Sequence, residues 1–195
     1  MLKKLETEER NATWQEQEIL SKYVGWGGIP EAFDEKRAQW ANEYQELKET
    51  LTEEEYIAAR ASTLNAHFTS PAIIRGIYAA LERMGFQGGN ILEPAMGVGN
   101  FFGMLPTTLL GSRLYGIELD SISGRIAQKL YPMANITVAG FETTNQRDFY
   151  DVAVGNVPFG NYKVNDRAYN RLGFSIHNYF FAKSLDQIRP GGIIA

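Results

Sequence analysis

From Gly88 to its end the chain alternates short apolar runs with helix-like stretches, and few folds satisfy that alternation. The runs are Asn90-Ile91-Leu92-Glu93, Arg113-Leu114-Tyr115-Gly116-Ile117-Glu118, Asn135-Ile136-Thr137-Val138, Asp151-Val152-Ala153-Val154 and, after Gly191-Gly192, Ile193-Ile194. Helix-like stretches fall at about 99–110, 121–131 and 177–188. Strands that alternate with helices are joined by crossovers, so the pattern predicts an α/β fold built on a mostly parallel, doubly wound sheet.

The first part of the chain reads differently. Residues 1–62 are charged and helical, with no alternating strand pattern, and form an N-terminal extension to a domain spanning 63–195. Thr52 and Glu55 make a capping-box pair that opens a helix through Tyr56, Ile57 and Ala61. Tyr23-Val24-Gly25-Trp26-Gly27-Gly28-Ile29-Pro30 is too rich in glycine for helix and too aromatic for a solvated linker. A tight turn anchored by Trp26 is the simpler reading of it, and a ligand-binding loop the other. Ser70-Pro71 supplies an N-cap and a first-turn proline for a helix whose Ile73, Ile77, Leu81 and Met84 recur at helical spacing up to Gly88-Gly89.

Composition removes several function classes. With 195 residues, 44% hydrophobic and 12% aromatic, the chain can bury one full core. No apolar run of about 18 residues is present and the N-terminus is polar, so neither a membrane partner nor a signal peptide is expected, and a cytoplasmic location is. Cysteine is absent and the two histidines, His67 and His177, are far apart, which argues against a metal mechanism. A net charge of −4 argues that any grip on a phosphate backbone lies largely outside this segment.

The chemistry-bearing residues gather at strand ends. The first strand runs into Glu93-Pro94-Ala95-Met96-Gly97-Val98-Gly99. A glycine pair there lets the backbone turn tightly and approach a ligand, with the amides of the next helix facing it. Alone this is a weak signal. The second strand ends at Glu118, roughly 20 residues beyond, where nucleotide-binding folds place an acid for the ribose hydroxyls. Together the two are much stronger. Asp120 reads as the N-cap of the following helix. The fourth strand runs into Gly155-Asn156-Val157-Pro158-Phe159-Gly160, which brings an amide side chain, a carbonyl before proline and an aromatic ring to the ligand-binding edge of the sheet. The alternative is an ordinary turn with Phe159 in the core. For an exocyclic amine, two acceptors on its hydrogens orient it and offset developing charge, and Asn156 and the Val157 carbonyl can supply them. Phe159 can stack on a base rotated out of a duplex.

Residues 65–195 resemble the amino-methylating branch of the S-adenosylmethionine (SAM) methyltransferases, in the motif order of the gamma-type adenine-N6 DNA methylases. The resemblance implies a Rossmann-like class I methyltransferase sheet with SAM as cofactor. Within the segment His67-Phe68-Thr69-Ser70-Pro71, Thr69 and Pro71 match a motif that closes over the methionine end of the cofactor. Glu93, Pro94, Gly97 and Gly99 match the glycine-loop motif, Glu118 the ribose acid, and Asn156, Pro158 and Phe159 the Asn-Pro-Pro-Tyr/Phe active-site motif. His177 through Pro190-Gly191-Gly192 resembles the helix and turn leading to the fifth strand. The Tyr23–Pro30 segment is similar to segments preceding methylase domains in large helicase-methylase proteins of conjugative elements and phages, which implies DNA and a fused helicase domain as partners.

Three departures qualify these expectations. Val157 stands where the family has its first proline, which keeps the carbonyl but loosens its geometry. The acid that touches the cofactor's adenine falls near Gly140-Phe141-Glu142, so either Glu142 substitutes or the contact is missing. The chain stops at Ala195 inside the expected fifth strand, so it reads as a fragment with an exposed sheet edge prone to self-association and without methylation activity of its own. No general base is evident: Asp166 and His177 read as surface-loop and helix-cap residues. Two other functions fit the same motifs, a protein glutamine-N5 methyltransferase and a non-catalytic module that binds cofactor or DNA within a helicase-methylase protein.

Overall fold

The computed structural model describes residues 1–63, 69–160 and 162–195. Four helices come first: α1 (Leu2–Thr7), α2 (Trp14–Leu20), α3 (Ala41–Thr50) and α4 (Glu53–Ser62). The Thr52/Glu55 capping box heads α4, and a second, Thr13 with Glu16, heads α2. Each satisfies amides that a helix start leaves free. Next come α5 (Pro71–Arg83), β1 (Asn90–Glu93), the single-turn α6 (Asn100–Gly103), β2 (Arg113–Glu118), α7 (Ser121–Leu130), β3 (Asn135–Val138), β4 (Tyr150–Ala153), α8 (Ile176–Gln187) and β5 (Ile188–Ile194). Every pairing in the sheet is parallel, in the order β3-β2-β1-β4-β5, which puts the switch in strand order at β1/β4. Ligands bind at the carboxyl ends of strands beside such a switch.

Local periodicity misplaces three details. The helix expected over 99–110 is one α-helical turn followed by a 3₁₀ turn at Thr107–Leu109, because Gly103 and Pro106 interrupt it. On α5 the buried face is Ile74, Tyr78 and Leu81, whereas Ile73 and Met84 are exposed. Tyr78 is an amphipathic residue that sequence pattern undercounts as core, and its hydroxyl finds a partner in the Phe101 carbonyl at 2.9 Å. Pro190-Gly191-Gly192 lies within β5 rather than before it, absorbed by a register shift against β4 between Tyr150 and Val152. Pairing continues past the strand proper, with the Ala195 amide donating to the Ala153 carbonyl at 2.9 Å.

The helical extension shares a core with the sheet domain. Leu5, Leu20, Phe33, Tyr56 and Ala59 pack in one buried cluster with Val98, Ile122 and Ile126. Polar contacts fix the docking: Arg125 on α7 pairs with Glu6 at 2.9 Å and Glu55 at 2.7 Å, and Gln17 donates to the carbonyls of Lys129 and Leu130 at the end of α7. No helix among the described residues is long and apolar enough to cross a membrane.

Candidate active site

A cavity of about 310 Å³ opens over the carboxyl ends of β1, β2 and β4. Its floor is the turn after β1. Gly97 (φ 56°) and Gly99 (φ 83°) both occupy the left-handed region. At Gly99 a Cβ would also meet the Tyr131 ring at 2.6 Å, so the turn closes this tightly only with glycine there. Val98 between them is buried in the core shared with the extension, which ties the turn to that core.

Two carboxylates face this floor from different strands. Glu118 accepts the Gly97 amide through one oxygen (2.6 Å) and the Asp120 amide through the other (2.7 Å). Burial nonetheless outweighs those bonds and raises its pKa to about 7. Glu93 is only 3% exposed, and one of its carboxylate oxygens is buried with no hydrogen-bond partner among the described residues. Burial first, and the Glu118 charge second, push its pKa well above 4.5. A buried carboxyl with an unsatisfied oxygen lining a cavity is a costly arrangement that a ligand bearing donors or positive charge relieves. Asp120 caps α7 as its sequence position suggests, accepting from the amides of Ile122 and Ser123.

The cavity draws Thr69, Glu93, Pro94, Gly97, Glu118, Glu142, Asn156 and Pro158 together from five separate stretches of chain. The other expected site residues lie beside it. Pro71 starts α5, Gly99 caps α6, and Val157 packs against the core cluster of Ile176, Tyr179 and Phe180. Phe159 is 61% exposed, with its ring centroid 6.2 Å from that of His177, so the alternative of a core phenylalanine does not hold. His67 and Phe68 lie outside the described residues. Ser175 rather than His177 is the N-cap of α8, and His177 sits in the first turn with its ring near the Ser175 hydroxyl.

Asp166 is not a surface residue. It is 8% exposed and accepts from the Lys183 ammonium at 2.7 Å and the Tyr179 hydroxyl at 2.8 Å. Burial opposes its ionisation, but the bonds from Lys183 and Tyr179 prevail and its pKa is lowered. Its partners lie 13 and 17 residues downstream on α8, beyond the reach of a local reading.

Sequence reasoning also missed part of the cavity wall. Gly25, Ala58, Ala61 and Ser62 of the extension line it, as does Leu119, which is 76% exposed immediately after the acid. The signal for Gly25 was the glycine-aromatic segment itself, and the structure makes it both anchor and wall. Trp26 stands edge-to-face between Tyr23 and Phe33, Phe33 continues to Tyr56 on α4, and this aromatic ladder presents Gly25 to the cavity. The Tyr23 hydroxyl and the Trp26 indole N–H are both buried, the hydroxyl close to Ser123 and Asp120 at the start of α7. Burial, then the nearby Asp120 charge, raises the Tyr23 pKa.

No family model matches the chain. It is 33% identical over 138 residues to the defense against restriction protein B of Escherichia phage P1, a match covering 68% of this chain and 6% of that protein. It is also 33% identical over 93 residues to the type II methyltransferase M.CvrRI of Paramecium bursaria Chlorella virus XZ-6E, covering 47% of this chain and 24% of that protein. The chain therefore spans a small part of the length of either relative. Among solved structures, a putative class I SAM-dependent methyltransferase from Listeria monocytogenes aligns at 17% identity with a TM-score of 0.50, over 82% of this chain and 58% of that one. The fold is that of the class I SAM-dependent methyltransferases.

Proposed function

We propose that the chain is a SAM-dependent methyltransferase domain acting on the N6 amino group of adenine in DNA. The observation that carries the reading is the convergence, in one cavity, of the glycine turn, Glu118 and the motif residues Asn156 and Pro158. The cavity lies at the lower end of the range for small-molecule sites, roughly 300–1,000 Å³. Its residues fit the cofactor: Glu118 retains lone pairs for ribose hydroxyls, the glycine turn admits close backbone approach, Leu119 offers an apolar face for a flat base, and Glu93 suits a cationic amino end. When bound, SAM supplies an electrophilic methyl group. The protein's part is to hold an exocyclic amine in line with that methyl. Asn156 and the Val157 carbonyl accept its hydrogens, and exposed Phe159 stacks against its ring. Likeness to a type II methyltransferase over 93 residues supports DNA as the substrate class, and the phage relative supports a mobile-element setting.

Radiolabelled methyl transfer, with calorimetry of SAM binding, tests the reading. In the full-length protein Asn156→Ala should abolish most transfer to adenine-containing DNA while leaving SAM affinity within a few-fold, because the amide acts on the amine rather than the cofactor. A parallel fall of affinity and rate would remove Asn156 from that role. Transfer to a protein glutamine but not to DNA would replace the substrate, and SAM binding with no transfer to either by the full-length protein would leave a binding module.

A further inference from the structure

The loop leading from the active-site motif to α8 has a charge balance opposite to that of the chain. Residues 159–175 hold Lys163, Arg167 and Arg171 against a single acid, Asp166, in a protein of net charge −4. All three cations are exposed, and none forms an ion pair among the described residues. Asp166, the obvious local counter-ion, is turned inward and neutralised by Lys183 from α8. The exposed charges of the loop are therefore all cationic among the described residues.

Its frame is fixed. The Asp166 amide donates to the Asn170 side chain at 3.0 Å, the Asn170 amide group to Asn165 at 2.8 Å, and the Tyr169 hydroxyl to Asp186 at 2.6 Å. Cations on a pre-organised frame lose less entropy on binding than cations on a free loop. Two large aromatic rings, Phe159 and Tyr162, are exposed at the loop's start, and Tyr162 and Val164 line the cavity beside Asn156. An open cleft of about 320 Å³ adjoins the loop, lined by Lys163, Asn165, Tyr169 and Asn170 among others. Interleaved cations and exposed rings are what an unpaired nucleic-acid strand requires, because phosphates take the charges and bases take the rings.

We propose that Phe159 and residues 162–175 form a nucleic-acid docking surface, in which Lys163, Arg167 and Arg171 hold the phosphates flanking the base that enters the cavity. The inference rests on the DNA reading above and assigns part of the strand grip to this segment despite its acidic total charge.

The test is binding of labelled single-stranded and duplex DNA to the 195-residue chain by fluorescence anisotropy, from about 20 to 200 mM salt. The variant Lys163→Gln/Arg167→Gln/Arg171→Gln is compared with Lys36→Gln/Arg83→Gln/Arg113→Gln, which removes the same charge from exposed positions elsewhere. The loop variant should lose affinity on the order of 10- to 100-fold. Its slope of log affinity against log salt should flatten by about 2 on single strands and nearly 3 on duplex, with SAM affinity and melting temperature unchanged. Equal losses in both variants would show unspecific charge and overturn the surface while leaving the DNA reading intact. No binding by the parent chain at the lowest salt would overturn the surface as well. In that case methyl transfer by the full-length protein separates the two ideas: transfer to DNA keeps the functional reading, and transfer only to protein glutamine, or to neither, ends it.

Discussion

Glu93 and Glu118 share one cavity, and both resist ionisation for the same reason: burial removes the water that would solvate their charge. They should behave differently in solution. Glu118 has a pKa of about 7, and only its ionised form offers all its lone pairs to ribose hydroxyls. SAM affinity should therefore rise between pH 6 and 8 and then level off, as calorimetry across that window would show. Glu118→Ala should weaken binding on the order of 10- to 100-fold, since hydrogen bonds to a charged group contribute roughly 1.5–3 kcal/mol. Unchanged affinity with the fold intact would remove it from the site. Glu93 bears on stability. Its folded pKa lies well above the ordinary 4.5, so as pH rises past 4.5 the unfolded chain ionises while the folded one does not, and stability is lost. Glu93→Gln should then raise the melting temperature of the ligand-free protein at pH 8, by about 2–4 °C for each kcal/mol relieved, with the gain vanishing near pH 4. A melting temperature no higher at pH 8 would mean that Glu93 is not held neutral at a cost.

At the scale of elements, the loop between α2 and α3 does two jobs. Its aromatic residues extend the core across to α4, and its glycine forms cavity wall. Gly25 has φ 66°, where a side chain is strained, and any side chain added there stands at the cavity wall. Gly28, three residues on, has open space around it and no such constraint. Gly25→Val should therefore weaken SAM binding by tenfold or more, and Gly28→Ala should leave it unchanged. Thermal melts would separate a local effect from unfolding, because a strained residue costs only about 1–3 kcal/mol. Equal affinities for the two variants would reduce the loop to a packing anchor.

At the scale of the whole molecule, the shared core makes the extension and the sheet domain mechanically continuous. Leu5 is fully buried some ninety residues from Val98 in sequence, yet both belong to one cluster, and Val98 sits between the turn glycines of the cavity floor. Leu5→Ala should cost about 2–5 kcal/mol through the lost apolar surface and the space left behind. It should also weaken SAM binding at temperatures where the protein remains folded, although Leu5 does not line the cavity. Denaturant melts paired with calorimetry would show this. Lowered stability with full affinity would mean that the extension only stabilises the fold.

What the amino-acid sequence determines by itself here is whatever depends on neighbours along the chain. The strand positions, the capping box at Thr52, the Gly97/Gly99 turn, Glu118 at the end of β2 and the Asn156–Phe159 motif after β4 all rest on spacings of a few residues, and the structure has them there, whereas the helix expected over 99–110 shrinks to a single turn. Tertiary structure alone decided the features that join distant segments. The face of α5 that is buried, the inward turn of Asp166 toward Lys183 and the placing of Gly25 at the cavity each depend on a partner that local periodicity does not encode. Burial and ion pairing are settled by whichever surfaces meet in space, so a residue such as Asp166 reads as solvated until the helix that neutralises it is packed against it.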